Sequence, residues 1–120
     1  MQAKSIGTKG EDLGAHYLLA KGYRILENNF RCRAGEIDLI AEQKGKLIFV
    51  EVKTRSSSVF GFGEESIDAR KQRRLKSVMR EYLAHSPRFE EIQCDALSIF
   101  LDADGMVAFI KHFENIFPDY

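Results

Sequence analysis

Between Gly35 and Lys53 the chain reads GEIDLIAEQKGKLIFVEVK, and apolar and polar side chains alternate on either side of Lys44-Gly45. A period of two marks paired strands, and Lys-Gly is the signal for a two-residue hairpin loop that pairs Gln43 with Lys46. Counting outward sets Ile40 opposite Phe49, Asp38 opposite Glu51 and Glu36 opposite Lys53. Ile37, Leu39 and Ala41 then meet Ile48, Val50 and Val52 on a wholly apolar face. A slip of one residue would place Asp38 against Val50 and mix polar with apolar side chains on both faces, which burial penalises. The polar face also carries Ile40, Leu47 and Phe49, so other elements are expected to cover it in part.

The remaining elements follow from periodicity and punctuation. Thr8-Lys9-Gly10-Glu11 matches a capping box, which predicts a helix from there to about Lys21, stopped by Gly22, with Leu13, Tyr17 and Leu18 as its apolar stripe and Gly14 permitting close packing. Tyr23 to about Arg33 reads as a first strand with a bulge or bend at Asn28-Asn29. Thr54 to Gly63 is a small-residue stretch without periodicity and reads as a mobile loop beside the polar patch. A second helix begins near Ser66 or Asp68 and runs to about His85, with Ile67, Leu75, Val78, Met79, Tyr82 and Leu83 on one side. On that helix Arg70, Arg73 and Arg80 point to solvent, Arg74 and Lys76 flank, and Lys71 and Gln72 look inward towards the end of the third strand. Glu90 to Leu101 and Met106 to Phe113 are the last two strands, joined by a turn at Asp102-Ala103-Asp104-Gly105. The closing Glu114 to Tyr120 shows no pattern.

The order is αβββαββ, a mixed α/β sheet flanked by helices, in which the third and fourth strands are parallel across the helical crossover and the earlier strands form an antiparallel meander. With 120 residues, the chain reads as a single domain over 1–120. Its formal net charge of +0 means that affinity for nucleic acid must come from local patches. Cys32 and Cys94 lie far apart, without metal-ligand or disulfide spacing. No apolar run approaches a membrane span and the start has no signal core, so the chain reads as cytoplasmic, with no membrane partner.

The hairpin brings three carboxylates and an ammonium to one patch, a crowding that destabilises a sheet unless a cation relieves it. Hard oxygen ligands on rigid strands suit Mg²⁺ or Mn²⁺. Asp38 followed by Glu51-Val52-Lys53 fits the D-(x)n-(D/E)-x-K pattern of metal-dependent nucleases. Asp38 and Glu51, with the backbone carbonyl of Val52, would hold the metal, Lys53 would orient the water or offset charge on the phosphorane, and Glu11 could complete the shell. The competing reading of Glu36 and Lys53 is an ordinary cross-strand ion pair, and that of Glu11 is capping. The basic run Arg70 to Lys76 is either a solvated face or, through Lys71, Arg73 and Arg74 with Arg55 nearby, a contact for DNA phosphates.

Gly10-Glu11, Ala15, Tyr17-Leu18, Gly22-Tyr23-Arg24-Ile25-Leu26, Asn29, Arg31, Gly35 to Ala41, Phe49 to Arg55 and Lys71 to Leu75 together resemble the YraN family of small bacterial proteins, and the likeness extends over nearly the whole chain. It implies a restriction-endonuclease-like fold near the Holliday-junction resolvases. It places Glu11, Asp38, Glu51 and Lys53 in resolvase-type active-site positions, aligns Gln72 with a glutamine on the following helix, and leaves Glu36 without a settled role. Gln93 to Leu97 departs from the family's usual stretch, in which only Asp95 persists. Resolvase-like proteins often act as two-fold dimers, so a homodimer is open. The reading is a Mg²⁺- or Mn²⁺-dependent endonuclease acting on DNA, with branched or structured DNA as candidate substrates; the alternative is a nucleic-acid-binding accessory protein with little cleavage of its own.

Overall fold

The computed structural model describes residues 6–56, 68–86 and 88–118. Its elements are α1 (Ile6–Ala20), β1 (Arg24–Cys32), β2 (Gly35–Gln43), β3 (Lys46–Ser56), α2 (Ala69–His85), β4 (Glu91–Leu101) and β5 (Val107–Phe113). This is the expected αβββαββ order. The five strands lie in sequence order in one mixed sheet, antiparallel throughout except for β3 and β4, which run parallel from Lys46↔Glu91 to Ser56↔Leu101.

Lys44 and Gly45 both adopt positive φ, 53° and 79°, as a hairpin turn matching the twist of its strands requires. The β2/β3 register runs as counted, from Gln43↔Lys46 through Ile40↔Phe49 to Leu39↔Val50. There the ladder stops. The expected pairs Asp38↔Glu51 and Glu36↔Lys53 are not part of it, because the Val52 N–H is taken by the side chain of Asp38, at 2.7 Å from Oδ2. Alternation breaks at the same point. Ile37 packs with Ile40, Leu47 and Phe49 under α2, whereas Leu39 and Ala41 pack with Ile48 and Val50 under α1. Ile37 was expected beside Leu39; the kink at Asp38 turns it to the other face.

Each helix covers one side of the sheet. Leu75, Val78 and Met79 of α2 close over one layer, and Leu18 of α1 over the other. Gly14 is what lets α1 lie close: a Cβ there would come within 3.2 Å of Val52 and 3.4 Å of Leu39 and Leu97. One turn earlier, a Cβ on Gly10 would collide with the Thr54 hydroxyl. The two glycines seat the start of α1 on the end of β3, which is where Glu11 is delivered.

Other expectations shift in detail. The helix begins by Ile6, so Thr8 lies inside it rather than at its N-cap position. Asn29 is left-handed, with φ 54°, as a bend there requires, but the register shift of β1 falls between Ile25 and Glu27. Thr54 to Ser56 belong to β3 rather than to a loop, since β4 pairs them to the end; residues 57–67, including Ser66 and Ile67, lie outside the described residues. Asp68 is the N-cap of α2 and accepts from Lys71 N at 2.8 Å. The Asp102 turn is closed by its own carboxylate, which accepts from Asp104 N and Met106 N.

The patternless C-terminal stretch has a definite place. Asn115 turns the chain with φ 54°, Ile116 N donates to Cys94 O at 2.7 Å, and Phe117 is buried under α2 with Lys76 over its ring. Asp95, fully buried on β4, holds this return. It accepts from Gln93 Nε2 (2.8 Å), Asn115 N (2.9 Å) and His112 Nε2 (2.8 Å), and the other ring nitrogen of His112 meets the Tyr17 hydroxyl at 3.3 Å.

Candidate active site

An open cleft of about 680 Å³ lies where β2 and β3 part. Its lining brings together Asp38, Glu51, Val52, Lys53, Lys71 and Arg74 from the sequence reading, with Arg31, Cys32, Gly35 and Glu36. The parting of the strands makes the site. A continued ladder would have paired backbone to backbone; instead the Asp38 carboxylate stands in as acceptor, a charge-assisted bond that fixes its orientation. A strand residue sends its N–H and C=O to the same side, so the Val52 carbonyl also looks towards β2.

Asp38 lies within hydrogen-bonding reach of the carboxyls of both Glu51 and Glu11. Burial pushes the Asp38 carboxyl above its usual range, and Glu11 adds to this while the Glu51 contact and the Val52 N–H oppose it. Burial and the charge of Asp38 push Glu51 up to about 7, although Lys71 pulls it back. The Lys71 ammonium lies 2.8 Å from Glu51 Oε2, with both side chains largely withdrawn from solvent. Lys53 is driven down, first by burial and then by the charges of Lys71 and Arg55.

Glu36 does not pair with Lys53 in the way the simple hairpin suggested; its carboxylate is 3.1 Å from Arg31 Nε across β1 and β2. Lys71, expected to face inward and offered with Arg73 and Arg74 as a phosphate contact, is engaged with Glu51 in this structure. Its inward position on the helical wheel was the available signal. Arg74 reaches the cleft because its stem crosses Gly35, where a Cβ would meet it at 3.1 Å. Gln72 is half-buried on the same turn, Arg55 lies further along β3, and Arg73 is exposed; these three do not line the cleft.

Among the described residues, the group of three ligand-bearing side chains with donor atoms all within 4.8 Å of one another is a different one, Asp95, His112 and Glu114. Asp95 there accepts from three protein donors, whereas Asp38 accepts from Val52 N and lies beside Glu51 at an open cleft. The first arrangement is a completed structural network. The second sets paired acids at its floor beneath a rim of Arg31, Lys53, Lys71 and Arg74, and the all-oxygen donors Asp38, Glu51, Glu11 and the Val52 carbonyl are the kind that suits a hard divalent ion.

The sequence model of the Uncharacterised protein family UPF0102 matches residues 10–99. A UPF0102 protein of Desulforamulus reducens is 39% identical over 118 residues, covering 96% of this chain and 97% of its own. One of Syntrophomonas wolfei subsp. wolfei is 46% identical over 115 residues, covering 95% and 98%. Among solved structures, Pyrococcus furiosus SfsA in complex with Ca²⁺ is similar at a TM-score of 0.38 and 16% identity, over 91% of this chain and 62% of that one. That likeness is too distant to carry an inference. No described helix is long and apolar enough to cross a membrane.

Proposed function

The chain belongs to the Uncharacterised protein family UPF0102, the YraN family of the resemblance, and from that premise we propose that it is a Mg²⁺- or Mn²⁺-dependent endonuclease hydrolysing DNA phosphodiester bonds, with branched or structured DNA as the substrate class. The observation that supports it best is the meeting of Asp38 with Glu51 in a cleft whose rim is cationic.

Asp38 and Glu51 would hold the ion with the Val52 carbonyl, and Glu11 would close the shell from α1. When bound, such an ion polarises a phosphodiester oxygen and acidifies a water. Lys53 has its ammonium on the same strand face as Glu51, placed to orient the attacking water and to offset charge growing on the phosphate. Arg31 and Arg74 stand on the cleft wall as donors for neighbouring phosphates, fixing the register of the DNA without reading its bases. The test is a cleavage screen over single-stranded, duplex, flap and four-way DNA with Mg²⁺ and Mn²⁺. Cutting of at least one substrate is expected; salt-sensitive binding without turnover under either metal would favour the accessory-protein reading, which the net charge of +0 supports.

The raised carboxyls add a pH signature. Because the folded state holds protons on Asp38 and Glu51 more tightly than the unfolded chain does, the metal-free protein has this stabilisation below the ordinary carboxylate range and loses it as pH rises through about 7. A divalent ion competes with those protons. The expected rise in Tm on adding Mg²⁺ is therefore small near pH 5 and amounts to a few degrees near pH 8, measured by thermal denaturation. An increment that does not change with pH would contradict this linkage.

A further inference from the structure

Lys71 is the feature of the cleft that the nuclease reading leaves unused. Its backbone is pinned at the first turn of α2, where its N–H is held by Asp68 at 2.8 Å, while its flexible stem carries the ammonium to 2.8 Å from Glu51 Oε2. An ammonium is a compact point charge and needs no fixed fork geometry to engage a carboxylate. It therefore occupies part of the space in which a metal ion would approach Glu51.

Resting on the metal-site reading above, we propose that Lys71 is the resident counter-ion of the acidic centre, displaced from Glu51 when the divalent ion enters and transferred to the arriving phosphate. Two observations argue for both halves. Glu51 is largely buried beside Asp38, so it needs a positive partner at every stage, and Lys71 supplies one. Once displaced, the ammonium has few places to go, because the adjoining wall carries Lys53 and Arg74, and Glu36, the other acid of the lining, is already paired with Arg31 at 3.1 Å. Crowded cations are relieved by an anion. A phosphodiester entering the cleft provides one, so ion and DNA assist each other's binding, and by linkage the assistance is reciprocal.

Lys71→Met removes the ammonium and keeps the stem; Lys71→Arg keeps a positive charge as a control. Mg²⁺ affinity is measured by calorimetry on the DNA-free proteins at about pH 9, where the carboxyls are ionised, with melting curves in chelator to verify folding. Lys71→Met is expected to bind Mg²⁺ about tenfold more tightly than wild type, and Lys71→Arg to stay within about twofold. Adding an uncleaved DNA strand should then tighten Mg²⁺ binding several-fold more in wild type than in Lys71→Met, which keeps only the direct contact between ion and phosphate; an equal gain in both would overturn the transfer of Lys71 to the phosphate. Equal or weaker Mg²⁺ binding by a folded Lys71→Met would overturn the counter-ion role while leaving the metal site standing. If wild type and all variants bind no Mg²⁺ with or without DNA, the metal reading falls and this role falls with it.

Discussion

Asp38→Asn is expected to lower DNA cleavage in Mg²⁺ by about 10³-fold or more while the protein still folds. The amide matches the carboxylate in size, and its oxygen can still accept from Val52 N, the bond that holds β2 and β3 together where their ladder ends. What disappears is the negative charge beside Glu51 on which the proposed metal site depends. The measurement is initial cleavage rate on the substrate found in the screen, beside wild type purified identically, with far-UV circular dichroism and a melting curve as the folding control. Lys53→Ala should show a comparable loss, since it removes the ammonium that the proposed mechanism uses to orient the attacking water. Full activity in either folded variant would remove the metal-and-lysine mechanism, and equal residual activity in all preparations would identify a contaminant.

The largest effect on stability is expected at Asp95. Asp95→Ala leaves Gln93 Nε2, Asn115 N and His112 Nε2 without the fully buried carboxylate that is their common acceptor. An orphaned donor costs about 1–3 kcal/mol, towards the low end where water can reach it as at these half-buried partners, so a total loss of about 3–5 kcal/mol is expected. Asp95→Asn keeps an acceptor for Gln93 and Asn115 and turns its amide donor to His112, which then accepts at Nε2 and donates from Nδ1 to the Tyr17 hydroxyl, so a loss of about 1 kcal/mol is expected. Urea denaturation measures both. Indistinguishable midpoints for the Ala and Asn variants would show that the network does not hold the C-terminal return in place.

Much of the architecture could be read from the chain because its signals are local. Lys44-Gly45 fixes a turn, and the turn fixes which residues of β2 and β3 face one another as far as Leu39 and Val50. The reading failed one step further on. Alternation assumes an unbroken backbone ladder, and nothing in GEID announces that the Asp38 side chain takes over a backbone role and swings Ile37 to the opposite layer. Residue types and facing also placed Lys71 inward, but its pairing with Glu51 depends on how far α2 sits from β3, a tertiary distance. Glu114 to Phe117 had no periodicity to detect, because its position is set by hydrogen bonds to β4 rather than by its own repeat. Thr8 and Glu11 matched a capping pattern, yet the helix extends past Thr8, and Glu11 turns to Asp38 instead.

The hairpin turn bears on the order in which the molecule assembles. Hairpins of this kind close in roughly 1–10 μs, whereas the parallel alignment of β3 with β4 must await a long crossover and is slower. Asp38 and Glu51 are therefore brought together early by a short-range encounter, and Lys71 joins them only when α2 docks. During that interval two acids face each other without a neighbouring ammonium, so refolding should be fastest in mildly acidic buffer, where a proton fills the gap that Lys71 later closes.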